Sequence, residues 1–246
     1  GSLIPVTEVE VDPEMEAFLQ PFVYDLAEYT STEIGLTTEP IDALAAYTEE
    51  TSGANVQADA AVFELTDNGI AVDFHLSGAM SNRIVAEGAT PANPVPLTVN
   101  DMYTLMPYEN SLVVMEMNGP QIKAVLERSY RNWWWYNQDY PWGGYSHYTT
   151  CMLTTDAGNV VTYTGDLATE PDGDNVDSLT IEGYPVDFAD AGTYYNVSTV
   201  NYLAAGSCNF NNDGVTIWPL DQITADTQFY VRDSVIDYIT AMGTIA

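Results

Sequence analysis

The stretch from Met106 to Tyr130 constrains the fold most, because it presents a loop, a buried strand, a turn and an amphipathic helix in unbroken succession. Leu112-Val113-Val114-Met115-Glu116-Met117 is a short, apolar, β-prone run interrupted only by Glu116. Asn118-Gly119-Pro120 follows with turn chemistry and a proline near a helix start. Ile122, Val125, Leu126 and Tyr130 then fall on one helical face.

The same rules read the rest of the chain. Asp12-Pro13 is a helix start, with Met15, Phe18, Leu19, Phe22 and Leu26 at helical spacing and a kink expected at Pro21. Residues 70–76 alternate as a strand, and Val160–Tyr163, Leu179–Ile181 and Tyr195–Val200 are further strands. The chain closes on a helix expected to begin at Thr224 or Asp226, with Phe229, Arg232, Val235, Ile236 and Ile239 on or near one stripe. Residues 1–11 read as a tag remnant and linker, and residues 12–246 as one domain.

Charge narrows the possible partners. The 246 residues are 46% hydrophobic, enough for a sizeable core, but 36 acids face five cations, Arg83, Lys123, Arg128, Arg131 and Arg232, for a net charge of −31. Such a surface repels nucleic acid and anionic membranes, and no apolar run is long enough for a membrane span. Cys151 and Cys208 allow one disulfide or two buried thiols. Glu170 to Asp177 is rich in carboxylates and suits either a calcium loop or an ordinary turn. A two-metal hydrolytic site needs several imidazoles and carboxylates converging, whereas His75 and His147 stand in different segments. There is no G-x-S-x-G elbow, P-loop or G-x-G-x-x-G, so no cofactor is expected in this chain.

Residues 106–126 resemble the "PF-x-N … strand … T-G-x-x-L … L-E" segment of the C-terminal domain of 5'-nucleotidases, the secreted enzymes that include UDP-sugar hydrolase. Other pieces fall in family order. Residues 50–60 resemble "E-S-x-L-G-N-L-x-A-D-A", Thr98 to Met106 "I-T-x-x-D-L-x-x-x-x-P", Tyr195 to Phe210 "Y-x-V-x-T-x-x-Y-L-x-x-G-G-D-G-F", and the last helix "R-x-x-V-x-D-Y-I-x-x-x-G-x-I". The likeness runs over residues 12–246 and implies an α+β fold, a layered α/β domain.

The resemblance also implies a site. Tyr108 stands where the family places a phenylalanine that stacks on the nucleobase, Asn110 matches its neighbouring asparagine, and Phe210 falls on the second stacking phenylalanine. Arg83, Asp213 and Ser146 stand near the phosphate, ribose and base-flanking positions, and Asp59 is expected to make a structural contact near a helix end. Two departures matter. Glu49 and Ser81 occupy the places of phosphate-binding arginines, and Ser207-Cys208-Asn209 replaces Gly-Asp-Gly, whose glycines permit positive φ.

The family's catalysis sits on an N-terminal metallophosphoesterase domain with two divalent metals, held by D-x-H, G-D, G-N-H and G-H-x-H segments that this chain lacks. The expectation is therefore the substrate-recognition domain of a secreted or cell-surface nucleotide hydrolase, inactive alone and with a degenerate phosphate site. Its partners would be a nucleoside or nucleotide-like small molecule and that N-terminal domain. The alternative is a binding module whose aromatic loop 131–148, holding four of the five tryptophans, grips carbohydrate or an adjoining domain.

Overall fold

The apolar run at 112–117 becomes the second strand of a five-stranded sheet, and the molecule is layered around it. The computed structural model describes residues 10–46, 49–78, 83–138 and 152–246. In chain order its principal elements are α1 (Pro13–Thr30), β1 (Glu33–Thr37), α2 (Ser52–Asp67), β2 (Phe74–Ser77), β3 (Val95–Thr98), α3 (Val99–Leu105), β4 (Ser111–Asn118) and α4 (Gly119–Tyr136). There follow β5 (Thr154–Thr155), β6 (Val160–Tyr163), β7 (Val176–Ile181), β8 (Tyr184–Pro185), β9 (Tyr194–Val200), α5 (Asn201–Ala204), β10 (Ile223–Tyr230), α6 (Val231–Met242) and β11 (Thr244–Ile245).

The central sheet has the order β10-β4-β9-β2-β5. β4 runs antiparallel to β9 and β10, while β9 and β2 are parallel. Side chains alternate across a strand, so burial of Leu112, Val113, Val114 and Met115 in succession means that both faces of β4 are covered. Glu116 is the exposed exception. Two three-stranded sheets, β11-β1-β3 and β8-β7-β6, and two two-stranded ones accompany it among the described residues, and the fold is α+β.

The turn into α4 is built as its residues suggest. Asn118 Oδ1 accepts from the Gln121 amide at 3.1 Å and Gln121 Oε1 accepts from the Asn118 amide at 2.9 Å, a reciprocal cap. Gly119 is required there by space, since a Cβ would lie 2.1 Å from the Asp187 carbonyl oxygen. Ile122, Val125 and Leu126 are fully buried, each contributing about 1.5–3 kcal/mol to the core.

Elsewhere Asp12 caps α1, accepting from the Glu14 amide at 2.9 Å. The stripe of α1 is uncovered: none of its residues is buried, and Met15, Phe18, Leu19, Phe22 and Leu26 are exposed. Three expectations need correction. Residues 223–230 form a strand and the last helix begins only at Val231, because Ile-Thr-Ala-Asp-Thr-Gln-Phe-Tyr alternates in burial and completes the edge of β4. The strand expected from residue 70 begins at Phe74. The aromatic stretch is helical through Tyr136 rather than a loop, and its remainder from residue 139 lies outside the described residues.

Candidate functional site

Strand direction gathers the candidate residues. Since β2 and β9 are parallel and β4 opposes them, the segments that follow β2 and β9 and the one that precedes β4 all meet one end of the sheet. These are Gly78 after β2, the stretch 201–214, and the loop 106–110; residues 79–82, which lead on to Arg83, lie outside the described residues. The Ser111 amide donates to Asn201 Oδ1 at 3.2 Å, joining the last two. Tyr230, the last residue of β10, is paired with Ser111 and brings the start of α6 to the same end.

Tyr108 projects at the apex of the first loop with 68% of its surface exposed. Its loop is anchored from α6: the Val231 amide donates to the Asn110 carbonyl at 2.9 Å, and Arg232 donates to the Met106 carbonyl at 3.0 Å and to Glu109 Oε1 at 3.3 Å. The same guanidinium lies 3.9 Å from the centre of the Tyr103 ring.

Phe210 has a different environment. It is fully buried, with its ring centroid 5.9 Å from that of Trp218, and belongs to the main core. No face of its ring is open beside Tyr108 in this arrangement. In the turn before it Cys208 and Asn209 sit at φ 53° and 64°, so Asn209 takes a positive φ at one of the two positions where a glycine is missing, and Cys208 takes one at the aspartate position. Their conformation is over-determined by α4. Arg128 donates to the carbonyls of Asn209 and Asn211 at 2.5 and 2.6 Å and to Asn212 Oδ1 at 2.6 Å. One helical turn on, buried Asn132 donates to the Cys208 carbonyl at 3.0 Å and accepts from Asn209 Nδ2 at 2.9 Å. Cys208 is also disulfide-bonded, and Cys151, the other cysteine of the sequence, lies outside the described residues.

Asp213 and Gly214 form the two-residue tip of a hairpin between 211–212 and 215–216, both at positive φ (50° and 83°). That is the type I′ geometry for which Asp-Gly is a preferred pair, so the turn alone accounts for this aspartate. Arg83 is exposed and its side chain bonds no other described residue, while its carbonyl accepts from the Ala43 amide at 2.9 Å. Glu49 is exposed. Ser81 and Ser146 lie outside the described residues.

Below this end, two polar groups are structural. Asp59 Oδ1 accepts from the Ala157 amide at 2.6 Å, and burial raises its pKa although that amide opposes the shift. His75 is fully buried on β2, with Nδ1 3.0 Å from Ser198 Oγ on β9, and burial pulls its pKa down to about 3. Among the described residues no group of His, Cys, Asp and Glu could hold a metal ion.

The tryptophans of α4 are half-buried, and Trp133 and Trp134 make contacts within the molecule. Trp134 Nε1 donates to the Leu167 carbonyl at 3.2 Å, and Tyr130 lies between Trp133 and Tyr163 at centroid distances of 5.3 and 5.7 Å. Sequence reasoning missed Arg128 and Arg232 as loop holders. Only their rarity, two of five cations in the chain, could have singled them out.

The profile described as 5'-nucleotidase, C-terminal domain matches residues 30–212. The chain belongs to that family. No curated protein matches the sequence significantly. Among solved structures, a 5'-nucleotidase precursor from Thermus thermophilus superposes with a TM-score of 0.68 at 20% identity, covering 94% of this chain and 40% of its own. The NAD nucleotidase of Haemophilus influenzae gives 0.64 at 18% identity, with 96% and 40% covered. The sulfate thiohydrolase SoxB of Thermus thermophilus gives 0.59 at 15% identity, with 98% and 38% covered. At such identities the likeness establishes the fold, and this chain spans about 40% of the length of the first two.

Proposed function

We propose that this 5'-nucleotidase C-terminal domain is the substrate-recognition part of a nucleotidase-like hydrolase, non-catalytic by itself, that holds a planar ring at Tyr108 and has a degenerate phosphate site. The observation that carries the reading is the convergence of 106–110 and 201–214 at one end of the sheet, with Tyr108 68% exposed between its anchors. Electrostatics favour an uncharged ligand. Glu49 stands exposed near the start of α2, and Arg83 alone among the cations leaves its side chain unbonded to any described residue.

Catalysis and its two metals would reside in an N-terminal metallophosphoesterase domain. The disulfide at Cys208 supports a secreted or cell-surface location, since disulfides persist in oxidising compartments. The same fold in a protein named a sulfate thiohydrolase makes the ring itself the point to test. Titration of the isotopically labelled chain with adenosine should shift the amides of 108–111 and 201–212 first. Shifts confined to other parts of the molecule would overturn the proposal, as would metal-dependent hydrolysis of AMP by the isolated chain that is lost on mutation of its own residues.

A further inference from the structure

We propose that Arg232 is a positioning residue, holding Tyr108 in its ring-stacking place from the first turn of α6; this rests on the reading of Tyr108 as the stacking ring. Arg232 is only 4% exposed, yet its carboxylate partner Glu109 is 69% exposed on its side chain. A buried guanidinium whose counter-charge is mostly in water gains little stability from the pair, and apolar residues of similar volume often serve as well or better. Its geometry supplies what an apolar residue would not. One nitrogen binds the Met106 carbonyl and the other binds Glu109, so the guanidinium spans the loop with Pro107 and Tyr108 between its two contacts.

The neighbouring Val231 amide fixes Asn110, and the Tyr103 ring beneath the guanidinium keeps the fork from turning. Pro107 restricts the backbone further. Tyr108 therefore belongs to a segment tied down at residues 106, 109 and 110, all from two consecutive residues of one helix. A lysine keeps the charge and one bond, but it cannot span both contacts.

The test uses Arg232→Met and Arg232→Lys, each alone and combined with Tyr108→Ala. It reads adenosine affinity, thermal midpoint, and hydrogen exchange at the amides of Tyr108, Glu109, Asn110 and Val231. If loss of the fork leaves the loop competent about one-tenth of the time, affinity falls about tenfold. The expected result is that fall for Arg232→Met, a smaller one for Arg232→Lys, faster exchange confined to these amides, and no further loss of affinity in the Tyr108→Ala background. An equal loss in both backgrounds, or unchanged loop exchange, would overturn the proposal. If the parent chain binds no adenosine while exchange at the loop still rises locally, the positioning role stands and the ring-binding reading falls. Should Arg232→Met not fold, Arg232→Lys is read by the same criteria.

Discussion

The loop 106–110 and the turn 206–214 leave the same end of the sheet, and each is gripped by an arginine from a helix. The first contains no residue at positive φ; the second has five, of which Cys208, Asn209 and Asp213 are not glycine. Each non-glycine residue in that region costs about 1–3 kcal/mol and persists only where the surroundings over-determine it. α4 provides that through Arg128 and Asn132, whereas α6 holds a relaxed loop and leaves its aromatic tip exposed. The difference separates two jobs. The turn is locked into the core with Phe210, and the loop is held at its ends with Tyr108 left exposed, as the proposed ring-binding role requires.

The largest expected effect sharpens this contrast with pH. His75 on β2 pairs with Ser198 on β9, the strand that feeds the turn. Burial lowers the folded pKa of His75 to about 3 from 6.5, so the unfolded chain binds the extra proton first. The stability this neutral imidazole contributes is fully present above pH 6.5 and is lost progressively as pH falls toward 3, a term of order 3–5 kcal/mol. Asp59 and Asp156, whose pKa values burial raises, oppose it by taking protons more readily when folded. Denaturant unfolding of the parent and His75→Gln should therefore differ by an amount that is flat above pH 7 and turns against the parent below pH 6.5. A difference independent of pH would show that His75 is not a buried neutral group.

Next in size is Arg128→Met. It leaves the Asn209 and Asn211 carbonyls without their donor, at about 2–4 kcal/mol in all. For a domain of this length that lowers the thermal midpoint by roughly 4–16 °C. A midpoint within a degree of the parent would break the contrast, because the turn would then hold its shape without α4.

Smaller still is the strain itself. Asn209→Ala loses the bond to Asn132 and keeps the positive φ, for a cost of about 1–2 kcal/mol, while Asn209→Gly relieves the backbone and should cost less than the alanine variant. Equal losses would mean that the turn relaxes once the side chain is gone.

Much of the fold was legible because its signals are local. The run at 112–117, the Asn-Gly-Pro turn and the stripe 122–130 specify one strand and one helix within 25 residues. The last strand was legible too, since Ile223 to Tyr230 alternates, but a helical stripe further on drew the boundary early. The site was harder. Motif spacing located Tyr108 and Phe210 without revealing that Trp218 and the core close over the second ring. Asp213-Gly214 carried a hairpin signal that family position overshadowed. The grips of Arg128 and Arg232 join residues 81 to 126 positions apart, a distance no local pattern spans.

The central claim is that this site favours a ring over a phosphate. Stacking of a base is worth about 1–3 kcal/mol, and each arginine–phosphate hydrogen bond about 1.5–3 kcal/mol; the family resemblance, which sets Glu49 and Ser81 in the places of two such arginines, therefore implies a loss at least as large as the ring supplies. Calorimetry of adenosine and of AMP with the same protein at one ionic strength tests this directly. The account predicts that adenosine binds at least as tightly as its monophosphate. Clearly tighter binding of AMP would contradict it and would mean that Arg83 or another cation serves the phosphate.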